Sequence, residues 1–577
     1  MSTIDQNATL VHLFVERAKE SGSQNALFTK LDGKFQGISW STLHTDVCKT
    51  AASLKSIGIN PGDRVVQIAE NSYEWIVCDL AIQMARAIHV PVHAPLSSEQ
   101  IFEQISDCEP KCIIVGDNSQ YAKIMSSDHS LPFDTKLIPI QHAPQLAGPN
   151  SVPTLSELRE GITSDACAAV EKEALDRLLP ASIATILYTS GTTGSPKGVV
   201  LSQRNLLSNT VATVEAFGLH PKELRICFLP FSHIFARTCD LYTWILRGSE
   251  IGLVESIDTI LPDCMRLKPH TINGVPYFFQ RVHRYLVEQG KADEEGSLKK
   301  ILGGEIQLCC SGGAALPDYL CEFFERQGVP LFQGYGLSES SPVIAVNSPL
   351  ANRRGTVGKP IPGVSVKISD DGEILATGPN IMSGYWNNSE ATREVIQDGW
   401  LHTGDLGEFD EDGFLKITGR RKEIIVTAGG KNVAPTQIEG LLCEDPMIIQ
   451  AVVIGDGRNY LTALIVPDPD NVKQAIRRMR ILPLSKRWVL NHSRIRSMYE
   501  QIINQRLESL SHFEQIRKFY LMDRGFTMET GEMTPKLSLK RSLIEQNCKE
   551  IIDDLYGEKP VTKSWTSRIA GVGRSFQ

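Results

Sequence analysis

No uninterrupted apolar run in this sequence approaches the roughly 20 residues a helix needs to cross a bilayer. The most apolar stretch, residues 74–95, contains Glu74, Asp79, Arg86 and His89 and reads as buried structure of a soluble fold. The opening segment MSTIDQNATL is polar and lacks the apolar centre of a secretory signal, so a cytoplasmic protein is expected. An excess of positive charge is missing too. Lys+Arg number 59 against 67 Asp+Glu, a net charge of −8, which removes any general attraction for nucleic acid, and no such partner is expected. The 13 cysteines follow no framework spacing: Cys309 and Cys310 are adjacent, and Cys108 and Cys112 are separated by EPK with no second pair in a metal-ligand pattern. They are expected to pack as small hydrophobes in a reducing compartment. No internal repeat or low-complexity tract occurs.

What is present is an ordinary globular composition, 42% apolar and 22% charged, over 577 residues. That length is too great for one compact core, so at least two domains are expected. Residues 9–120 alternate helical and strand patterns. LVHLFVERAKESG has apolar residues at helical spacing and ends in Gly22, whereas DRVVQIAE and KCIIVGD are short apolar runs closed by polar residues, as in parallel strands. ATILYTSG and IQLCCSGG each run from an apolar strand into a glycine-rich turn. The pattern predicts an α/β fold with ligands at the carboxyl ends of the strands. From about residue 355 the texture changes to alternating runs broken at Asp371-Gly372 and Asp412-Gly413, a hairpin signal, so a β-rich subdomain is expected over 355–418. After GRRKE come strand-like AVVIGD and YLTALIVPD and helical patterns over 471–510. The division expected is a large N-terminal α/β domain over 1–420, a hinge at 421–423 and a small, mobile α+β C-terminal domain over 424–577.

The segment YTSGTTGSPKGVV, residues 188–200, is too rich in small and hydroxylated residues to build a core. Such loops turn N–H groups and hydroxyls toward phosphate oxygens, and Lys197 adds a mobile positive charge. The P-loop pattern is not met, because Lys197 follows Pro196 and precedes Gly198. Five further segments follow in order: LPFSHIFARTCDLY, SGGAALP, QGYGLSESSP, WLHTGDLGEFDEDGFLKITGRRKEIIVTAGGKNVAP and GEMTPKLSLKR. With the first, they resemble the adenylate-forming superfamily of acyl-CoA synthetases, luciferases and peptide-synthetase adenylation domains. The resemblance spans residues 10–545, and LPFSHIFART with MTPKLSLKR looks most like the long-chain fatty acyl-CoA ligases.

The resemblance implies two half-reactions: a fatty carboxylate attacks the α-phosphorus of ATP, and the thiol of coenzyme A then displaces AMP. It implies that Thr189, Ser190, Gly191, Thr192, Thr193, Gly194 and Lys197 hold the β- and γ-phosphates. Glu339, with Thr189, would hold Mg²⁺, a hard cation that prefers oxygen ligands. Tyr335 would be the platform for adenine, within the run Gln333, Gly334, Tyr335, Gly336 and Ser338, and Gly312, Gly313 and Ala314 would line its other side. Asp405 would accept from the ribose hydroxyls and Arg420 would sit near the ribose or phosphate. His233 would lie beside the acyl carboxylate and α-phosphate, and Phe235 with Asn273–Tyr277 would wall the acyl pocket. The amino-acid-activating branch has an acidic residue near this segment, and here none occurs before Asp240, which points to a plain carboxylic acid. Lys422 matches the hinge position, and Gly429 and Gly430 would approach the pantetheine channel.

One motif departs from the family pattern. Where a run like T-P-T-L-K-L-K-R is usual, this chain has Thr534-Pro535-Lys536-Leu537-Ser538-Leu539-Lys540-Arg541, so Ser538 occupies the place of the adenylation lysine. Residues two apart share a face of an extended segment, which makes Lys536, then Lys540, the substitutes. Residues 471–506 carry Lys473, Arg477, Arg478, Arg480, Lys486, Arg487, Arg494, Arg496 and Arg506 against one acid, Glu500. Three readings fit this stretch: a solvated helical surface, an attraction to anionic lipid at the inner membrane surface, or a contact with coenzyme A phosphates. The function expected is an ATP- and Mg²⁺-dependent ligase joining a medium- to long-chain fatty acid to coenzyme A. The alternatives are an acyl-AMP ligase that loads a carrier protein and a non-catalytic ligand-binding relative.

Overall fold

A computed structural model describes residues 7–125, 131, 134–140, 153–189, 196–218, 223–256, 258–482, 485–527, 530–533 and 539–557. The chain divides into two compact units between Thr418 and Gly419. The larger unit is built on two mainly parallel sheets. One has the strand order Gly384–Tyr385, Lys197–Ser202, Ile183–Thr189, Ile88–Val92, Arg64–Ile68, Cys112–Val115, Lys136–Pro139. Its central strands Ile88–Val92 and Cys112–Val115 are buried along their whole length, which is why they read as continuous apolar runs rather than alternating ones. The second sheet has nine strands, with Leu224–Cys227, Thr271–Gly274, Leu308–Ser311 and Leu331–Gly336 adjacent and parallel at its centre.

The 74–95 stretch becomes the buried helix Tyr73–Met84 and the strand Ile88–Val92, as its apolar weight requires. The first helical pattern is Leu10–Ser21, started by Thr9, whose hydroxyl accepts from the His12 amide. Beyond the parallel sheets, Ser365–Ile368, Glu373–Thr377, Trp400–Phe409 and Ile396–Gln397 form an antiparallel sheet, with Leu415–Arg420 beside Trp400–Phe409. Gly372 and Gly413 take positive φ at its two hairpin turns, the conformation that Asp-Gly pairs favour.

The smaller unit centres on the strands Ile448–Ile454, Leu461–Pro467 and Ile516–Leu521. Side chains alternate between its two faces. Ala451 and Val453 pack with Ile438, Leu442, Ile495 and Tyr499 on one side, while Val452 and Ile454 pack with Ile544 and Ile552 on the other. Among the described residues, no helix is long and apolar enough to cross a membrane.

The larger unit also buries a charged network. Asp79 on the helix Tyr73–Met84 meets His89 Nδ1 at 2.7 Å and pairs with the Arg237 guanidinium, and all three side chains are fully buried. Burial, and then the Arg237 charge, push His89 down to about 4. Burial pushes His93 down to about 4 as well, with Lys123 contributing. In the unfolded chain both would titrate near 6.5. The unfolded state therefore takes up protons first as pH falls, and stability is lost through that window. Between pH 6.5 and 5 the larger unit should lose up to about 1.4 kcal/mol per pH unit for each histidine. Thermal midpoints measured across that range should fall steadily, and a flat profile would contradict the burial of neutral rings.

Candidate active site

The strands Ile183–Thr189 and Lys197–Ser202 pair antiparallel, with Thr189 opposite Lys197. The loop joining them carries Ser190, Gly191, Thr192, Thr193 and Gly194, which lie outside the described residues. Its two rims are defined: the Thr189 hydroxyl donates to the Lys197 carbonyl at 3.4 Å. Lys197 Nζ stands 5.2 Å from the centroid of the Tyr385 ring, a cation–π contact. The Tyr385 hydroxyl in turn donates to Glu339 Oε1 at 2.8 Å. Burial and the neighbouring Glu339 carboxylate push the Tyr385 phenol well up, so it remains a donor at neutral pH. A cation and a carboxylate are thus connected through one tyrosine beside the glycine-rich loop.

Tyr385 was not singled out from the sequence. It lies in SGYWNN, where a lone aromatic reads as core, and no spacing rule links it to residue 339. Its place follows from tertiary pairing: Gly384 and Tyr385 add a short strand against Val199 and Val200.

Around Tyr335 the parallel sheet supplies a second group. Gly274, Ser311 and Gln333 stand in register across three neighbouring strands, so Gly312, Gly313, Ala314, Gln333, Gly334 and Tyr335 gather at the strand ends. Carboxyl ends of parallel strands are where open α/β sheets bind ligands. Space requires glycine at 336 and makes a side chain at 312 tight. A Cβ on Gly336 would lie 1.8 Å from the Pro342 carbonyl oxygen, and one on Gly312 would lie 3.1 Å from the Phe235 ring. Ser338 is buried in the turn that follows, Ser338–Ser340, which also carries Glu339.

The Tyr335 hydroxyl donates to Asp405 Oδ2 at 2.8 Å. Asp405 is buried on the strand Trp400–Phe409, and its amide donates to Thr403 Oγ1 at 3.1 Å. A residue absent from the sequence reading fixes this corner. Buried Glu373 accepts from the Gly404 amide at 2.9 Å through one oxygen and meets His402 Nδ1 at 2.9 Å through the other. The Asp371-Gly372 hairpin pairs the strand Glu373–Thr377 with Ser365–Ile368, and no sequence signal places Glu373 against the HTGD strand, where it pairs with Leu406.

His233 closes the loop after the strand Leu224–Cys227. Its Nδ1 accepts from the Phe235 amide at 3.2 Å, which assigns the proton of the neutral ring to Nε2. Phe235 joins this segment to Gly312. Asn273, expected in an acyl wall, is instead committed to structure: its amide donates to Asp240 Oδ1 at 2.7 Å and to the Cys239 carbonyl at 3.2 Å. Asp240 is itself buried and 3.5 Å from Arg225. Burial raises it to about 6 against the pull of Arg225.

The remaining residues lie in the smaller unit. Arg420 ends the strand Leu415–Arg420, and Lys422 is within the single turn Arg421–Glu423. Gly429 and Gly430 lie in the turn between the paired strands Ile425–Val426 and Asn432–Val433, and Gly430 takes a positive φ of 70°. Lys540 precedes the helix Arg541–Asn547, with its amide donating to the Glu532 carbonyl at 2.8 Å. Lys536 and Ser538 lie outside the described residues.

With that geometry defined, comparison with known proteins is decisive. Residues 14–386 match the AMP-binding enzyme family, and residues 422–560 match the AMP-binding enzyme C-terminal domain. This chain belongs to the AMP-binding enzyme family. Curated relatives agree over nearly the whole length. The long-chain-fatty-acid–CoA ligase FadD15 of Mycobacterium bovis is 32% identical, covering 96% of this chain and 98% of that protein. Human long-chain-fatty-acid–CoA ligase ACSBG1 is 29% identical, covering 96% of this chain and 86% of its own. Among solved structures, ATP-bound MatB from Rhodopseudomonas palustris superposes with a TM-score of 0.73 at 25% identity, covering 94% of this chain and 100% of its own. The α/β architecture of the AMP-binding enzymes is therefore the architecture found here. The parallel sheets, the β-rich sheet after residue 364 and the small C-terminal α+β unit are its parts.

Proposed function

We propose that this AMP-binding enzyme is an ATP-dependent fatty acid–CoA ligase that works through an acyl adenylate. The observation that carries the reading is the contact chain Lys197–Tyr385–Glu339 at the rim of the glycine-rich loop. A mobile cation and an oxygen ligand beside a phosphate-binding loop are what MgATP requires. Glu339 and Thr189 offer oxygens suited to Mg²⁺, and that ion, when bound, neutralises phosphate charge. Lys197 and residues 189–194 hold the β- and γ-phosphates, Tyr335 stacks on adenine beside Gly312–Ala314, and Asp405 accepts from the ribose hydroxyls. The Tyr335–Asp405 bond pre-orients both groups. His233, protonated at Nε2, donates toward the acyl carboxylate or α-phosphate oxygen as charge builds there.

A plain carboxylic acid is favoured because Asp240 is committed to Asn273 and Arg225 and is not free to meet a substrate ammonium. The curated relatives are named for long-chain fatty acids, and this enzyme takes the same class. Lys422 at the unit boundary is the hinge between half-reactions, Arg420 contacts the ribose or phosphate, and Gly429 with Gly430 receives pantetheine. Lys536 supplies the adenylation charge that Ser538 lacks, with Lys540 its alternate.

The enzyme meets its lipid substrate at a membrane face. In the basic 471–506 stretch Leu482 is 77% exposed and Trp488 40% exposed, flanking Lys486 and Arg487. Apolar side chains beside cations suit an anionic interface. Binding to vesicles containing phosphatidylserine should fall at least about threefold in Trp488→Ala, consistent with one buried aromatic anchor. Equal binding to neutral vesicles would remove this reading.

The test of function is a fatty-acid panel with ATP, Mg²⁺ and coenzyme A, followed by AMP release and thioester formation. Acid-dependent exchange of labelled pyrophosphate into ATP reports the first half-reaction alone. Exchange without thioester would instead indicate carrier-protein loading, and absence of both would indicate a ligand-binding relative. Lys536→Ala should lower exchange about 100-fold, as loss of one preorganised charge does. Unchanged exchange in Lys536→Ala with loss in Lys540→Ala transfers the role to Lys540.

A further inference from the structure

On helices that carry none of the candidate active-site residues, three side chains of metal-ligand type converge. His44 and Cys48 are one turn apart on the helix Trp40–Ser56, and Glu171 comes from the helix Ser164–Arg177 packed against it. Their ligand atoms lie within 4.8 Å of one another. Cys48 Sγ is 3.5 Å from His44 Nε2 and 3.6 Å from Glu171 Oε2, and His44 Nε2 is 2.7 Å from Glu171 Oε2.

A tetrahedral zinc ion with bond lengths of about 2.0 to 2.3 Å holds its ligand atoms roughly 3.3 to 3.8 Å apart. Two of the three separations already meet that range. Only the His44–Glu171 contact must open, by somewhat under 1 Å, as an ion replaces the shared proton. The pattern is His-x₃-Cys on one helix facing Glu171 on the other, three ligands that leave the fourth tetrahedral position to water.

We propose that His44, Cys48 and Glu171, with water as the fourth ligand, form a Zn²⁺ site that ties the helix Trp40–Ser56 to the helix Ser164–Arg177. Thiolate, imidazole and carboxylate together select zinc over the hard magnesium ion. The charge also balances. One thiolate and one carboxylate match the charge of a divalent ion, and the imidazole adds a neutral ligand. The alternative is a hydrogen-bonded triad that packs two helices and binds nothing.

The test uses the full chain, stripped with a chelator and kept in excess Mg²⁺ so that oxygen-rich sites are filled. Co²⁺ should then bind with a thiolate-to-metal charge-transfer band, displaced by one equivalent of Zn²⁺. The band should vanish in Cys48→Ser. Glu171→Gln should weaken Zn²⁺ at least about 100-fold, beyond the 10- to 100-fold cost of losing an outer partner. Circular dichroism checks each fold, and Glu171→Gln decides alone if Cys48→Ser does not fold. Absence of the band, its persistence in Cys48→Ser, or unchanged zinc affinity in Glu171→Gln overturns the site.

Discussion

Glu339→Gln should cut fatty acid-dependent pyrophosphate exchange by about 100- to 1,000-fold, the scale on which a single preorganised electrostatic group acts at a phosphoryl or acyl centre. The substitution isolates charge from packing. Gln keeps an oxygen that accepts from the Tyr385 hydroxyl, so the 2.8 Å bond can persist. What is lost is the formal negative charge that a hard divalent cation seeks. The larger unit should accordingly unfold within a few degrees of the wild-type temperature. Raising Mg²⁺ should restore part of the rate, because the defect lies in holding the ion. Tyr385→Phe provides the complementary reading. It leaves the Glu339 charge but frees its orientation, so at least about a tenfold loss is expected, since a hydrogen bond to a charged group contributes about 1.5 to 3 kcal/mol. Exchange in Glu339→Gln above a tenth of the wild-type rate before Mg²⁺ is raised, or a defect that raised Mg²⁺ leaves unchanged, would remove Glu339 from the metal role.

Much of this site could be read from the chain because its parts are local. The Gly312–Gly313 turn and the Tyr335 strand are short segments on neighbouring parallel strands, whose order brings them together, while the glycine-rich loop is legible as a motif between two strands of the other sheet. The same is true of the hairpins at Gly372 and Gly413, where Asp-Gly sets the turn. What sequence could not show depends on contacts between distant segments. Tyr385 meets Glu339 across 46 positions and Glu373 meets Gly404 across 31, and neither spacing carries a periodic signal. Asn273 likewise takes its hydrogen-bond partner, Asp240, from a segment 33 positions away. The cysteines were expected to be inert packing. Linking His44 and Cys48 to Glu171 depends on a second helix packed against the first.

The second large effect concerns the charge network beneath the His233 segment. Asp79→Asn should destabilise the larger unit by about 3–5 kcal/mol, the usual cost of removing one partner from a buried ion pair. Arg237 is fully buried and would keep its charge, because its other contacts are neutral or weakly basic: the Thr185 hydroxyl at 2.8 Å and His89 Nδ1 at 2.8 Å. Asp79 also accepts from the Tyr242 hydroxyl at 3.1 Å and from Gln83 at 3.2 Å, so several donors lose an anionic acceptor together. In the double variant Asp79→Leu/Arg237→Met both charges are gone, and apolar side chains of similar length fill the space. Its cost should be smaller than the sum of the two single changes by at least about 2 kcal/mol, the coupling expected within one buried network. Catalysis should follow the same order, since the Arg237 amide donates to the His233 carbonyl at 3.1 Å and the network anchors the turn that presents that imidazole. Urea unfolding of the four proteins, with pyrophosphate exchange measured below each transition, tests both statements. Strict additivity of the two single changes would mean that Asp79 and Arg237 do not act as a pair.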